Sequence, residues 1–224
     1  MRSALAILLL VAASPAAARE KAWYVGVEGG AMIVDDIDFD IGGLGNNRGE
    51  NKTGYNVDAI VGYDFGAFRL EAEVGYREAS LDGYRALVAV PDVTGFVTGN
   101  FGDATGKTSA LSFMLSGLAD FGDPDTIAGF AGGGIGVSRV RIPEYTIDRI
   151  VPIIEGSDTV FTFQLFAGLR KSVTDRIDLT ARYVFLQAGN ASIDDALGRR
   201  NDFGFRSHEI RFGATLRFGS SGER

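Results

Sequence analysis

About eight stretches of some ten residues in this chain alternate apolar with polar side chains, and the connections between them alternate long with short. Segment 68–77 is the clearest. Phe68, Leu70, Ala72, Val74 and Tyr76 share one face, and Arg69, Glu71, Glu73, Gly75 and Arg77 share the other. A period of two is the signature of a strand with one dry face, and nothing helical fits it. The other segments are 23–34, 53–63, 108–120, 127–140, 159–170, 177–187 and 206–218. Between them lie long polar stretches at 35–52, 78–107, 141–158 and 189–205, which read as loops, and short turns at 64–67, 121–126 and 171–176. A thirty-residue loop is unusual in a compact soluble domain, but the outer loops of membrane barrels tolerate it. The pattern predicts an all-β fold: an eight-stranded antiparallel up-and-down transmembrane β-barrel. An even strand number lets the last strand return beside the first, leaving no open edge in lipid. A soluble β-sandwich is the competing architecture, and it predicts a protein that dissolves without detergent.

The amino terminus changes the picture by fixing a compartment. Arg2, an apolar run from Ala4 to Ala13 too short to span a bilayer, and Ala16, Ala17 and Ala18 read as a cleavable secretory signal. Residues 1–18 are therefore expected to be removed, leaving a short lead at 19–22, a barrel at 23–218 and a tail at 219–224. No later segment is long and apolar enough to be a membrane helix. There is no cysteine, so neither a lipid anchor on cysteine nor a disulfide framework is available. With 31 Gly, 16 Phe and 7 Tyr the chain suits tight sheet corners and lipid-facing aromatics. The formal net charge is -7, and loss of Arg2 makes it one unit more negative, which argues against a nucleic-acid partner.

Three stretches carry a family resemblance: Trp23-Tyr24-Val25-Gly26-Val27-Glu28-Gly29-Gly30, Ile177-Asp178-Leu179-Thr180-Ala181-Arg182-Tyr183, and the closing run from Ser207 to Phe218. With these the chain resembles the eight-stranded barrels of the outer membrane protein A superfamily, in the small glycine-rich form. The resemblance implies the bacterial outer membrane, with membrane lipid and lipopolysaccharide as surroundings and the barrel assembly machinery as a partner during insertion. Full-length relatives continue into a periplasmic peptidoglycan-binding domain. Only 219–224 follows the last strand here, so a wall-anchoring role is not expected if the chain is complete.

Strand parity places Glu28, Arg69, Glu71, Glu73, Arg77, Asp178, Arg182, Glu209, Arg211 and Arg217 inside the barrel. Acids and guanidiniums in a narrow lumen should pair, because an orphaned buried charge costs roughly 3 to 5 kcal/mol. They form either a self-satisfied polar core or, by resemblance to switchable salt bridges in the family, an ionic gate centred on Glu28, Glu71, Glu73, Arg182 and Arg211. No catalytic residues, metal site or cofactor are expected. His208 lies between Ser207 and Glu209, but adjacent strand residues point to opposite faces, so no local triad forms. It reads better as an interfacial residue at headgroup level. Asp35, Asp36, Asp38 and Asp40 match a calcium loop only loosely and read as a solvated strand extension. Gly132-Gly133-Gly134 has no following helix or Lys-Ser/Thr, so it reads as a crowded strand and not a phosphate loop. The leading function is a non-enzymatic envelope-stabilising barrel with exposed loops that could meet extracellular ligands. Alternatives are a salt-bridge-gated solute pore, a lipid A-modifying rim enzyme and an adhesin, the last suggested by the apolar stretches 87–97 and 147–154.

Overall fold

In a computed structural model, residues 21–93, 95–123, 126–147 and 151–218 are described, so the expected signal peptide at 1–18 and the tail 219–224 lie outside the described residues. Eleven strands follow in order: β1 (Ala22–Val34), β2 (Ile37–Ile41), β3 (Asn46–Asn51), β4 (Gly54–Asp64), β5 (Phe68–Asp92), β6 (Gly95–Phe101), β7 (Thr105–Phe121), β8 (Ala128–Ile147), β9 (Val151–Ser172), β10 (Ile177–Asp194) and β11 (Arg200–Phe218). Eight of them close an antiparallel ring in the order β1, β4, β5, β7, β8, β9, β10, β11. The seam runs from Trp23 opposite Phe218 to Val34 opposite Ser207. The chain is an eight-stranded antiparallel β-barrel, as the alternation predicts.

The short connections, including 65–67 and 173–176, gather at the end that also carries both chain ends of the ring, which is the periplasmic end of such barrels. Outward side chains near that end form an aromatic girdle. Trp23 packs on Tyr63 at 5.2 Å between ring centroids, Tyr63 on Phe65 at 4.6 Å, and Phe65 on Phe68 at 4.6 Å. From there to about Tyr55, Tyr76 and Tyr183 the outward residues are apolar and exposed, among them Val27, Leu115, Ile135 and Phe212. About ten residues of tilted strand span roughly 25 Å, the height of a bilayer's apolar core.

The long connections depart from the loops expected in sequence. The strands run on past the membrane: β5 is 25 residues long, β9 22 and β8 20, against the 9 to 11 or so that a bilayer needs. Stretch 35–52 is the hairpin β2–β3, whose outer edges continue the β1 and β4 positions by pairing with β11 and β5. Its tip needs residues that tolerate a positive φ, and Gly42, Gly43 and Gly45 supply them at +56°, +75° and +140°. Stretch 78–107 is mostly the outer half of β5 folded back on β6. The barrel therefore has a second storey outside the membrane.

Polarity inverts between the storeys. Along β5, Arg69, Glu71, Glu73 and Arg77 point inward and Leu70, Val74 and Tyr76 outward; past that point Ala79 and Leu81 are inward and Glu78 and Asp82 outward. A register shift at Leu81 to Gly83 then moves Tyr84 onto the inner face. The outer storey encloses one apolar core that includes Met32, Phe39, Leu81, Tyr84, Tyr145, Ile154, Leu186, Phe203 and Phe205. Phe39 sits at its centre, fully buried, with Phe203 at 4.9 Å and Tyr84 and Tyr145 each at 6.2 Å. Of the stretches singled out for apolar content, Val90, Ile147, Ile153 and Ile154 are buried in this core, while Leu87, Val93 and Phe96 are exposed.

Candidate functional site in the barrel lumen

The lumen is built in layers. At the periplasmic end Arg69 grips Asp120 with two parallel hydrogen bonds of 2.7 and 2.9 Å, a fork geometry that only arginine offers a carboxylate. Arg170 bridges Asp120 at 3.5 Å and Asp64 at 3.7 Å, and Arg217 donates to Asp178 at 2.5 Å. The next layer is aromatic. Phe130 is fully buried between the guanidiniums of Arg69 and Arg182, each 5.2 Å from its ring centre, and Arg182 also lies 5.0 Å from Phe166. Cation–π contacts of this kind let charges sit against an apolar wall.

Arg182 then joins two acids, Glu28 at 2.9 Å and Glu71 at 3.2 Å, while the Tyr24 hydroxyl donates to Glu71 at 2.7 Å and Thr180 donates to Glu28 at 2.9 Å. Above it Arg211 holds Glu209 at 2.7 Å, Glu73 at 3.2 Å and Asp58 at 3.3 Å. Arg77 meets the same three carboxylates at 2.8, 3.5 and 3.2 Å. Glu209 also accepts from Asn56 and Ser207. A β-carbon at Gly75 would stand 1.9 Å from an Asp58 oxygen, so glycine there is what admits Asp58 to the cluster.

All ten charges expected inside therefore face the lumen, and they join into linked clusters instead of separate pairs. Of the five residues expected at an ionic gate, Arg182 meets Glu28 and Glu71, and Arg211 meets Glu73 in the neighbouring cluster. The sequence reading left out Asp58, Asp64, Asp120 and Arg170, which are buried in the same lattice. Parity puts each of them on the inner face, but Asp120 and Arg170 are single inward charges on the membrane-spanning parts of β7 and β9, and Asp58 and Asp64 share β4 with no cation on that strand. The signal was present and weak.

Above the charges comes a layer of small polar groups, with Ser112 and Ser138 hydrogen-bonded at 2.7 Å. The apolar core of the outer storey closes the top. Asn47 ties that cap together: its side-chain oxygen accepts from the backbone N–H groups of Leu87 and Val88 at 2.8 Å each, satisfying the irregular stretch of β5. Burial pushes the Tyr145 phenol up to about 12, partly offset by its hydrogen bond with Thr108, and burial also raises Tyr84.

The remaining candidates separate as parity requires. Ser207 is buried in the lumen, whereas His208 is outward, with its Nδ1 2.6 Å from the Tyr183 hydroxyl and its Nε2 3.7 Å from Asp35. Asp38 and Asp40 lie on the solvated face of β2, and Asp38 pairs with Arg48 at 2.7 Å. The glycine run sits in the middle of β8 opposite Ser116, Gly117 and Leu118, where added β-carbons would fall within about 2 to 3 Å of the neighbouring strands.

Residues 3–218 match the model of the outer membrane protein beta-barrel domain. The chain belongs to that family. It is accordingly a protein of the bacterial outer membrane. Outer membrane protein PagN of Salmonella typhimurium is 24% identical over 204 residues, covering 84% of this chain and 83% of that protein. Among solved structures, OprG from Pseudomonas aeruginosa shares 14% identity at a TM-score of 0.51, covering 88% of this chain and 97% of that one. The outer membrane protease OmpT from Escherichia coli shares 9% identity at a TM-score of 0.52, with the same coverages. At these identities the structural likenesses speak for the fold alone.

Proposed function

We propose that this chain is a non-enzymatic, non-conducting barrel that stabilises the outer membrane and carries a rigid extracellular sheet as its working surface. The observation that carries the reading is the double closure of the lumen. A conducting path would have to part the Arg77 and Arg211 clusters, where each guanidinium meets three carboxylates, and then open the apolar core around Phe39. Each step exposes groups the fold has buried, and breaking even one member out of a buried ion cluster costs about 3 to 5 kcal/mol. The outer storey supports the second half of the proposal. Its strands are paired to their tips and cross-braced, as where Arg199 joins Asp195 at 2.7 Å and donates to the Ala89 carbonyl at 3.0 Å. A surface so held can present extracellular ligands with a fixed shape, at little ordering cost on binding.

The test is ion conductance of the refolded mature protein in a planar bilayer, beside Glu71→Gln and Arg182→Gln. Wild type and both variants are expected to be silent while remaining folded. Discrete openings in wild type that change in the variants would overturn the closed reading and make the lattice a gate.

A further inference from the structure

Above the lipid boundary, outward-facing cations are generally matched to a carboxylate. Arg48 pairs with Asp38 at 2.7 Å, Lys107 with Glu78 at 2.6 Å, Lys52 with Asp82 at 3.2 Å, Arg200 with Asp202 at 3.2 Å and Arg206 with Asp35 at 3.4 Å. Arg139 and Arg141 break the rule. Both are exposed on the outer face of β8, two residues apart. Arg139 donates only to the Ser157 hydroxyl, at 3.1 Å, and the Arg141 guanidinium has no ion pair or hydrogen bond among the described residues. Arg85 is also unmatched, but it stands high on β5 beside Arg48, away from lipid.

Position distinguishes the pair. Arg139 is the first polar outward residue of β8 after the exposed Ile135 and Val137, which places it at headgroup depth. Register puts Arg139 between Leu111 and Thr159 and Arg141 between Ser109 and Ser157. Two guanidiniums thus stand in a collar of three hydroxyls, beside Leu111 and directly above the exposed apolar side chains Phe113, Val137 and Phe161. A ligand that fits must carry an anion above and hydrocarbon chains below. Guanidinium recognises phosphate through paired N–H donors, and hydroxyls complete such a site.

We propose that Arg139 and Arg141, with Ser109, Ser157 and Thr159, bind the phosphate of a phosphorylated glycolipid of the outer leaflet, whose acyl chains lie along β7, β8 and β9. The full mature barrel, purified in neutral detergent, would be titrated with diphosphoryl lipid A, with its dephosphorylated form and with inorganic phosphate, and bound lipid counted by native mass spectrometry. Wild type is expected to retain one phosphorylated lipid and to lose it about tenfold more readily as R139Q/R141Q, with the dephosphorylated lipid held no better than by that variant. R48Q/R200Q removes the same charge from carboxylate-paired positions and should retain lipid like wild type. R139K/R141K should recover part of the binding, which also reports that the site still folds. Equal retention by R139Q/R141Q, or an equal loss in R48Q/R200Q, would overturn the proposal. Inorganic phosphate bound as tightly as lipid A would overturn the assignment to a lipid.

Discussion

The two storeys of this barrel use the same strands and opposite chemistry. In the membrane, charges face in and apolar side chains face out; outside it, Phe39, Phe203 and Tyr145 face in while Asp38, Asp82 and Asp202 face out. Each strand keeps its period of two through the change, so the backbone is continuous and only the solvent outside it differs. The comparison shows what alternation encodes. It fixes which residues share a face, whereas the surrounding medium decides which face is covered. A barrel wall in hydrocarbon needs an apolar exterior and can then keep an ionic interior only by pairing every charge. A wall in water inverts both requirements.

That contrast can be broken most forcefully in the ionic storey. Arg211→Ala leaves Glu209, Glu73 and Asp58 without one of their two shared cations, and should cost roughly 4 to 5 kcal/mol in urea unfolding from lipid vesicles. In the water-exposed storey Phe203→Ala opens a cavity beside Phe39, with an expected loss of about 3 to 4 kcal/mol. Phe212→Ala, the same change on the lipid face, should cost clearly less, because Phe212 is exposed and lipid fills the space. Leu115→Arg, placing a charge on the mid-membrane exterior, is expected to cost about 2 to 4 kcal/mol by the same measurement. An unchanged folding equilibrium there would refute the lipid-facing assignment.

Smaller effects sharpen the boundary. Tyr145 titrates at about 12 in the folded outer storey against 10.0 for a free phenol. Its contribution is complete below pH 10 and is lost as pH rises from 10 to 12, because the unfolded chain releases the proton first. The loss should reach roughly 2 to 3 kcal/mol, read as alkaline unfolding of the outer storey and removed in Tyr145→Phe. At the low end, Arg200→Gln removes an exposed pair with Asp202 and should shift stability by less than about 0.5 kcal/mol.

Much of the lumen was legible from residue order because a period of two assigns faces without any knowledge of neighbours. Glu71 and Arg182 could be placed inside on that ground alone. Their meeting could not, since residues 111 positions apart come together only through the register of the three strands that intervene either way around the ring. Asp58, Asp120 and Arg170 escaped notice for a related reason: none has an opposite charge on the inner face of its own membrane-spanning strand, and a partner on another strand leaves no local mark. The stretches 35–52 and 78–107 read as loops because their apolar residues point into a core supplied by other strands. Segment 37–41 alternates Ile37, Phe39 and Ile41 with two aspartates, yet five residues are too few to distinguish a short strand from a polar loop.

The sequence by itself determined the strand count of the ring, the facing of its membrane-spanning residues and the charge of its lumen, because alternation is a local property and the bilayer leaves few architectures open. The tertiary structure alone decided which charges touch, that an apolar cap closes the lumen, and that Arg139 and Arg141 stand unmatched above the lipid. Those features depend on the stagger between strands, which is set by the closure of the whole ring and cannot be read from any one strand.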